Sequence, residues 1–300
     1  MKNELLRKKF RGKKILITGN TGFVGSWLSI LLYSLGAKIL GYSLKKKDKR
    51  FLSNTPDFKS KIKTIYSDIN NFDKNFNKVK KFKPQIVIHL ASQPIVLESY
   101  VNTKKTYFTN VMGTVNFFEN IKKIKTVNKI IVFTSDKVYM NLDGKLLNEN
   151  SNLGGIDPYS ASKSCQDIIS SSYKSCFLKK KIDLTIIRAG NIIGGGDWNL
   201  YRLVPDIFKS PSTLPHISAL QDSILPFKSP WEPTTKLSVL TVMSALPSTW
   251  TSSASVISPL NFTPLPITTF AEPFEGLKTS KSSFFDSGGD SLLLLNITII

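Results

Sequence analysis

Lys14-Ile-Leu-Ile-Thr18 is a short apolar run that leads into a glycine-bearing turn, Gly19 to Gly25, and then into a helix-like stretch, Trp27 to Leu35, closed by Gly36. An apolar run without polar alternation fits a strand buried on both faces, as strands of parallel sheets are. Five similar runs follow at helix-length intervals: 38–42, 63–66, 84–90, 129–134 and 183–188. Strands separated by helical segments predict an α/β fold, a doubly wound parallel sheet of Rossmann type, over residues 12–209.

The turn after the first strand reads Gly19-Asn20-Thr21-Gly22-Phe23-Val24-Gly25. Gly19 suits a tight turn, Gly22 lets backbone approach a pyrophosphate at a helix N-terminus, and Gly25 permits close helix–sheet packing. This GxxGxxG spacing resembles the short-chain dehydrogenase/reductase group, especially its extended members. The resemblance implies a nicotinamide dinucleotide held by Gly19, Thr21, Gly22, Phe23, Val24 and Gly25. It also implies an adenine-side pair, Asp68-Ile69, and a cofactor-lining turn at Leu90-Ala91. His89 is assigned no role, and Asn110 is expected to be structural. The acid that would hold a ribose 2′-hydroxyl is absent after the second strand, where Tyr42-Ser43-Leu44 precedes Lys45 to Lys47. Nearby cations suit a 2′-phosphate, so NAD is expected and NADP is not excluded.

Two short runs carry chemistry, Ser135-Asp136-Lys137 and Tyr159-Ser-Ala-Ser-Lys163. A phenol with a pKa of about 10 is a poor base. A lysine four residues along the same helix face places positive charge beside the ring and favours phenolate. Gly22-Phe-Val-Gly-Ser-Trp-Leu28, His89-Leu-Ala-Ser-Gln-Pro94, Thr134-Ser-Asp-Lys137, Gly154-Gly-Ile-Asp-Pro-Tyr159 and Arg188-Ala-Gly-Asn-Ile-Ile-Gly-Gly-Gly-Asp-Trp198 occur in order. Over roughly residues 9–209 they resemble the CDP-glucose 4,6-dehydratase family, in which related dTDP- and GDP-sugar enzymes typically carry glutamate at the position of Lys137. The resemblance implies an NAD-dependent lyase that converts CDP-glucose to its 4-keto-6-deoxy form. Tyr159, with Lys163, would accept the proton of the sugar 4-hydroxyl while hydride leaves C4, and Ser135 would hydrogen-bond the same oxygen. Lys137, deprotonated through desolvation and the charge of Lys163, would remove the C5 proton. Asp136, kept protonated, would donate to the departing 6-hydroxyl. Asn191 and the glycines 194–196, with Arg202, would hold the substrate's nucleotide diphosphate. Family members are often homodimers through a bundle that includes the Tyr–Lys helix.

Composition bounds the alternatives. The chain of 300 residues has a formal net charge of +20, yet residues 210–300 hold 4 Lys+Arg against 6 Asp+Glu, so the basic surplus lies upstream. The lysines are scattered, without zinc-finger spacing or an aromatic-studded RNA motif, so neither nucleic-acid binding nor a metal site is expected. No apolar run of about 18 residues is present, so no membrane span is expected. Met1 to Lys14 lacks a signal-like apolar core, and two cysteines make no disulfide framework, which points to the cytoplasm. From Ser210 onward 38 of 91 residues are Ser, Thr or Pro. There the sequence departs from the family's substrate-binding lobe. The expected division is a dehydratase domain 1–209, a Ser/Thr/Pro-rich segment 210–265 and a carrier-like remnant 266–300. In the last, Phe284-Phe-Asp-Ser-Gly-Gly-Asp-Ser-Leu292 resembles a phosphopantetheine attachment motif with Ser291 as the modified residue. Alternative readings are therefore a chimeric or truncated chain that binds NAD without turnover, or a fused carrier segment.

Overall fold

The computed structural model describes residues 2–140, 147–192, 194–202 and 206; the expected segments 210–265 and 266–300, with Ser291, lie outside the described residues. A basic helix α1 (Lys2–Phe10) precedes β1 (Lys14–Thr18), α2 (Phe23–Ser34) and β2 (Lys38–Ser43). Then come α3 (Pro56–Lys61), β3 (Lys63–Tyr66), α4 (Phe76–Phe82) and β4 (Ile86–His89). Helices α5 (Val96–Val101) and α6 (Thr103–Tyr107) lead through a π-helical turn, Phe108–Met112, into α7 (Gly113–Ile121). β5 (Lys129–Phe133), α8 (Pro158–Cys176) and β6 (Asp183–Ile187) complete the order.

The six strands form one sheet in the order β3-β2-β1-β4-β5-β6, every neighbouring pair parallel. Its register sets Thr18 beside Tyr42 on one side and His89 on the other. Side chains alternate between two apolar layers, which is why no polar alternation marks the strands. Leu16, Leu40, Val87, Ile130, Val132 and Leu184 join Phe117, Phe118 and Tyr173 on one face. Ile15, Ile17, Ile39 and Ile88 join Leu32 and Phe58 on the other. The expected doubly wound sheet is thus present, with β1 starting and ending at the expected residues. Among the described residues no helix is long and apolar enough to cross a membrane.

α8 is held differently from the other helices. Its buried positions are Tyr159, Ser160, Ser162, Lys163, Ser164, Gln166, Asp167, Ser170 and Tyr173, nearly all polar. Its strongest tie is to Arg188, just past β6. The guanidinium donates through Nε and Nη2 to both Asp167 oxygens at 2.8 and 3.0 Å, with the side chains 6% and 1% exposed. Nη1 also donates to the Tyr139 hydroxyl at 3.0 Å and to Glu149 O at 2.9 Å. One side chain therefore joins α8, β6 and the segment after β5. Arg188→Leu, which strands the Asp167 carboxylate in the interior, is expected to cost about 3–5 kcal/mol in urea unfolding. Adding Asp167→Leu is expected to recover much of that loss, because an apolar pair of similar volume often matches a buried ion pair.

Candidate active site

Ligand sites of doubly wound sheets lie at the C-terminal strand ends where the order reverses, here between β1 and β4. Gly19 leaves β1 with φ of 75°. A Cβ there would lie 2.8 Å from Ala91 N and Leu90 C, so the turn packs directly on the exit of β4. At Gly25 a Cβ would strike Gly19 O and the Asn20 backbone, so α2 starts tight against the turn. Gly22 is the N-cap of this 12-residue helix, and no side chain caps it. The first N–H groups of α2, on Phe23, Val24 and Gly25, therefore have no side-chain acceptor at the N-cap, where the positive end of the helix dipole lies. A bare glycine surface and an uncapped helix start suit a pyrophosphate.

Thr21 does not extend toward this surface. Its Oγ1 donates to Leu44 O and pairs with Ser43 Oγ, both at 2.7 Å, tying the turn to the end of β2 where an acid was expected and is absent. Asn20 is fully buried, lies across Gly41 and donates to Thr64 Oγ1 at 2.8 Å. Asp68 accepts from Asn70 N and Nδ2 at 2.9 and 3.0 Å and caps the turn Ile69–Asn71. Ile69 is buried against Gly113. Both N–H groups of Leu90 and Ala91 donate to Thr18 Oγ1 at 3.2 Å.

α8 starts beside this edge, at Asp157, whose carboxylate accepts from Ser160 N at 3.0 Å, with Pro158 pre-setting the first turn. Tyr159 and Lys163 stand one turn apart, both buried. Ser135, buried at the end of β5, donates to Asp136 Oδ1 at 3.0 Å and accepts from Lys137 N at 3.2 Å. Burial pushes the Tyr159 phenol up. A hydrogen bond with Ser135 and the charge of Arg202 oppose that shift, while Asp136 and Asp157 add to it. Lys163, only 3% exposed, donates to Phe133 O at 3.2 Å and to Gln166 Oε1 at 2.9 Å, and burial lowers its pKa to about 7. Asp136 and Lys137 are exposed, so the desolvation expected at Lys137 falls on Lys163 instead.

The segment after β6 closes over the start of α2. Trp27 Nε1 donates to Gly195 O at 2.8 Å, and Gly194 lies against the Phe23 ring. Arg202 is half-buried, its Nε 3.3 Å from Asp197 Oδ2. Lys46, from the loop after β2, is lowered by burial, with Asp197 opposing and Arg202 adding to the shift. Asn191 is exposed. Ser135, Asp136 and Arg202 thus all bear on Tyr159, while Asn191 stands apart from the described contacts. Sequence reasoning missed Asn20, Thr114 and Gln166; only the three-residue spacing from Lys163 to Gln166 on one helix face signalled any of them.

Chains that set a glycine turn at the switch point of such a sheet and a tyrosine–lysine pair on the neighbouring helix make up the extended short-chain dehydrogenase/reductase class, and this chain has both. Within that class it belongs to the GDP-mannose 4,6 dehydratase family, whose model matches residues 16–190. It is 40% identical over 214 residues to CDP-glucose 4,6-dehydratase of Salmonella typhimurium, covering 69% of this chain and 60% of that protein. It is 33% identical over 198 residues to dTDP-D-glucose 4,6-dehydratase of Dictyostelium discoideum, covering 61% and 44%. The chain therefore spans less than two thirds of either relative. Among solved structures, Bacillus anthracis dTDP-glucose 4,6-dehydratase in complex with NAD matches with a TM-score of 0.55 and 24% identity over 67% of this chain and 61% of that one. The epimerase Mth375 of Methanothermobacter thermautotrophicus matches with a TM-score of 0.61 and 22% identity over 69% and 61%. These two likenesses concern the fold.

The burial of Lys163 has a thermodynamic signature. Its pKa of about 7 in the folded chain lies below the value of about 10.4 expected when unfolded, so between those values the unfolded chain binds more protons. The stability contributed by this residue rises with pH across that window. Lys163→Met is therefore expected to stabilise the protein most below about pH 7, with the gain shrinking toward about pH 10, as read from denaturant midpoints.

Proposed function

We propose that this chain is an NAD-dependent nucleotide-sugar 4,6-dehydratase that converts CDP-glucose to CDP-4-keto-6-deoxyglucose. The carrying observation is the burial of Tyr159 and Lys163 one turn apart on α8, beside Ser135, whose hydroxyl donates to Asp136 next to Lys137. The 40% identity to the Salmonella enzyme supports CDP-glucose over other nucleotide sugars. Backbone at Gly19, Gly22, Phe23, Val24 and Gly25 would hold the cofactor pyrophosphate, and Asp68 with Ile69 the adenine end. Leu90, Ala91, Tyr159 and Lys163 would line the nicotinamide end. NAD is favoured by the solved relatives that carry it; Lys45 and Lys47, both exposed near Ser43, keep NADP as the alternative.

When bound, NAD supplies a hydride acceptor for the sugar C4 and a donor for C6. The protein's part is proton handling. Tyr159 takes the proton of the 4-hydroxyl while Ser135 hydrogen-bonds that oxygen. The resulting ketone acidifies C5. Lys137 takes the C5 proton, and Asp136 gives one to the departing 6-hydroxyl, so that water leaves across C5–C6. Lys137 acts as a base only when its amine is neutral, and it is exposed before substrate arrives. Closure of the sugar over residues 135–137 supplies the missing desolvation. Asn191 and Arg202 are proposed to hold the diphosphate, with the cation of Arg202 pairing its oxygens.

Two further proposals concern the whole protein. Exposed Tyr107, Phe108 and Met112 sit with Cys165 around an apolar surface between the π-helical turn and α8, which suits a homodimer through these helices. Cys165 and Cys176 are free, in keeping with a cytoplasmic location. The phosphopantetheine alternative at Ser291 gains no such footing: the family match ends at residue 190 and Ser291 lies outside the described residues. Purified protein with CDP-glucose and NAD+ is expected to form a product with the alkali-sensitive absorbance of a 4-keto sugar. Tyr159→Phe and Lys137→Met are each expected to lower kcat by roughly 10²–10⁴-fold, the usual weight of a positioned acid or base. No product from CDP-, dTDP- or GDP-sugars would instead favour a chain that binds NAD without turnover.

A further inference from the structure

Lys163 is buried with neutral oxygens around its amine, and its acceptor Gln166 is itself fixed from behind. Gln166 Nε2 donates to Thr114 Oγ1 at 3.0 Å. Thr114 Oγ1 has one proton, and its 2.6 Å contact with the carbonyl of Asn110 takes it. Both other partners of that oxygen must therefore be donors. One is Gln166 Nε2, and the other is His89 Nε2 at 3.3 Å. His89 then carries its proton on Nε2 and leaves Nδ1 bare, so Nδ1 accepts from Thr18 Oγ1 at 2.8 Å. Thr18 Oγ1 in turn accepts from the N–H groups of Leu90 and Ala91. The chain satisfies every member only in this one direction. Turning the Gln166 amide over would set its NH₂ against the lysine amine and its oxygen against a hydroxyl without a spare proton.

We propose that Gln166 is a positioning residue for Lys163: a neutral acceptor, oriented through Thr114, His89 and Thr18 by the turn that lines the cofactor edge, which holds the ammonium in place without cancelling its charge. The inference rests on the dehydratase reading for its functional meaning. A carboxylate in the same place would capture the charge that the Tyr159 phenolate needs. The neutrality of the chain agrees with this. His89 is fully buried, and burial, helped by the charge of Lys163, pushes its pKa down to about 3, so it remains uncharged. The other charges bearing on the pair are Asp136 from the turn after β5, Asp157 at the start of α8 and Arg202 beyond β6, all acting on Tyr159. Asp167 on α8 is paired with Arg188.

The test uses two variants of the full chain, each checked for a wild-type-like melting transition. The amine of Lys163 is titrated by NMR, with Lys163→Arg assigning the signal, and the pH profile of kcat with CDP-glucose is recorded. Gln166→Glu is expected to raise the Lys163 midpoint by about 1–3 units, the usual effect of an adjacent opposite charge. The acid limb of kcat is expected to move up in pH with it, with KM nearly unchanged. Gln166→Met, which removes the acceptor, is expected to lower the Lys163 midpoint. An unchanged Lys163 midpoint in both variants would overturn the proposal, as would a shifted midpoint with an unmoved kcat profile. A wild-type chain that turns over no nucleotide sugar would sink the dehydratase reading, whereas the NMR midpoints would still decide whether Gln166 governs Lys163.

Discussion

Burial of a polar helix is the constraint on which the rest of this structure depends. α8 brings serines, a glutamine, an aspartate and a lysine into the interior, where each unmet hydrogen bond costs on the order of 1–3 kcal/mol. The fold meets that demand group by group. Arg188 takes both Asp167 oxygens, Ser164 donates to Val138 O, and Asn110 Nδ2 reaches Ser162 Oγ. These contacts draw β6, the segment after β5 and the π-helical turn onto one helix. The same contacts fix where Tyr159 and Lys163 stand relative to Ser135.

The π-helical turn belongs to this arrangement. It carries Asn110, whose Oδ1 accepts from Gln93 N and whose Nδ2 also donates to Gln93 O at 3.1 Å. One side chain thereby holds both the loop after β4 and α8, and the backbone carbonyl of the same residue takes the Thr114 proton. The expectation that Asn110 is structural agrees with these contacts. Cofactor edge and tyrosine–lysine helix are thus parts of one hydrogen-bonded body rather than two surfaces that happen to meet.

Strand positions were legible because a parallel strand covered on both faces leaves a plain apolar run, as Lys14–Thr18 does. The glycine turn was legible because Gly19 and Gly25 stand where a Cβ has no room. The interior of α8 was not legible. Its serines and glutamine carry no local sign of burial, and only tertiary partners distant in sequence, such as Thr114 and Asn110, reveal that they are buried. The exposure of Lys137, where desolvation was expected, was not legible for a similar reason. Lys137 and Lys163 are both lysines in short motifs, and nothing local says which one the sheet will cover. Asp68 likewise reads as a ligand in the motif, while its carboxylate caps its own turn.

The central claim is that one site removes hydride from C4, expels water across C5–C6 and returns the same hydride to C6. CDP-glucose carrying deuterium at C4 tests this most directly, with the product examined by mass spectrometry and NMR. The account predicts that the label leaves C4 and appears at C6 of the same molecule, with a solvent proton at C5. Label retained at C4, or lost to solvent without appearing at C6, would contradict it.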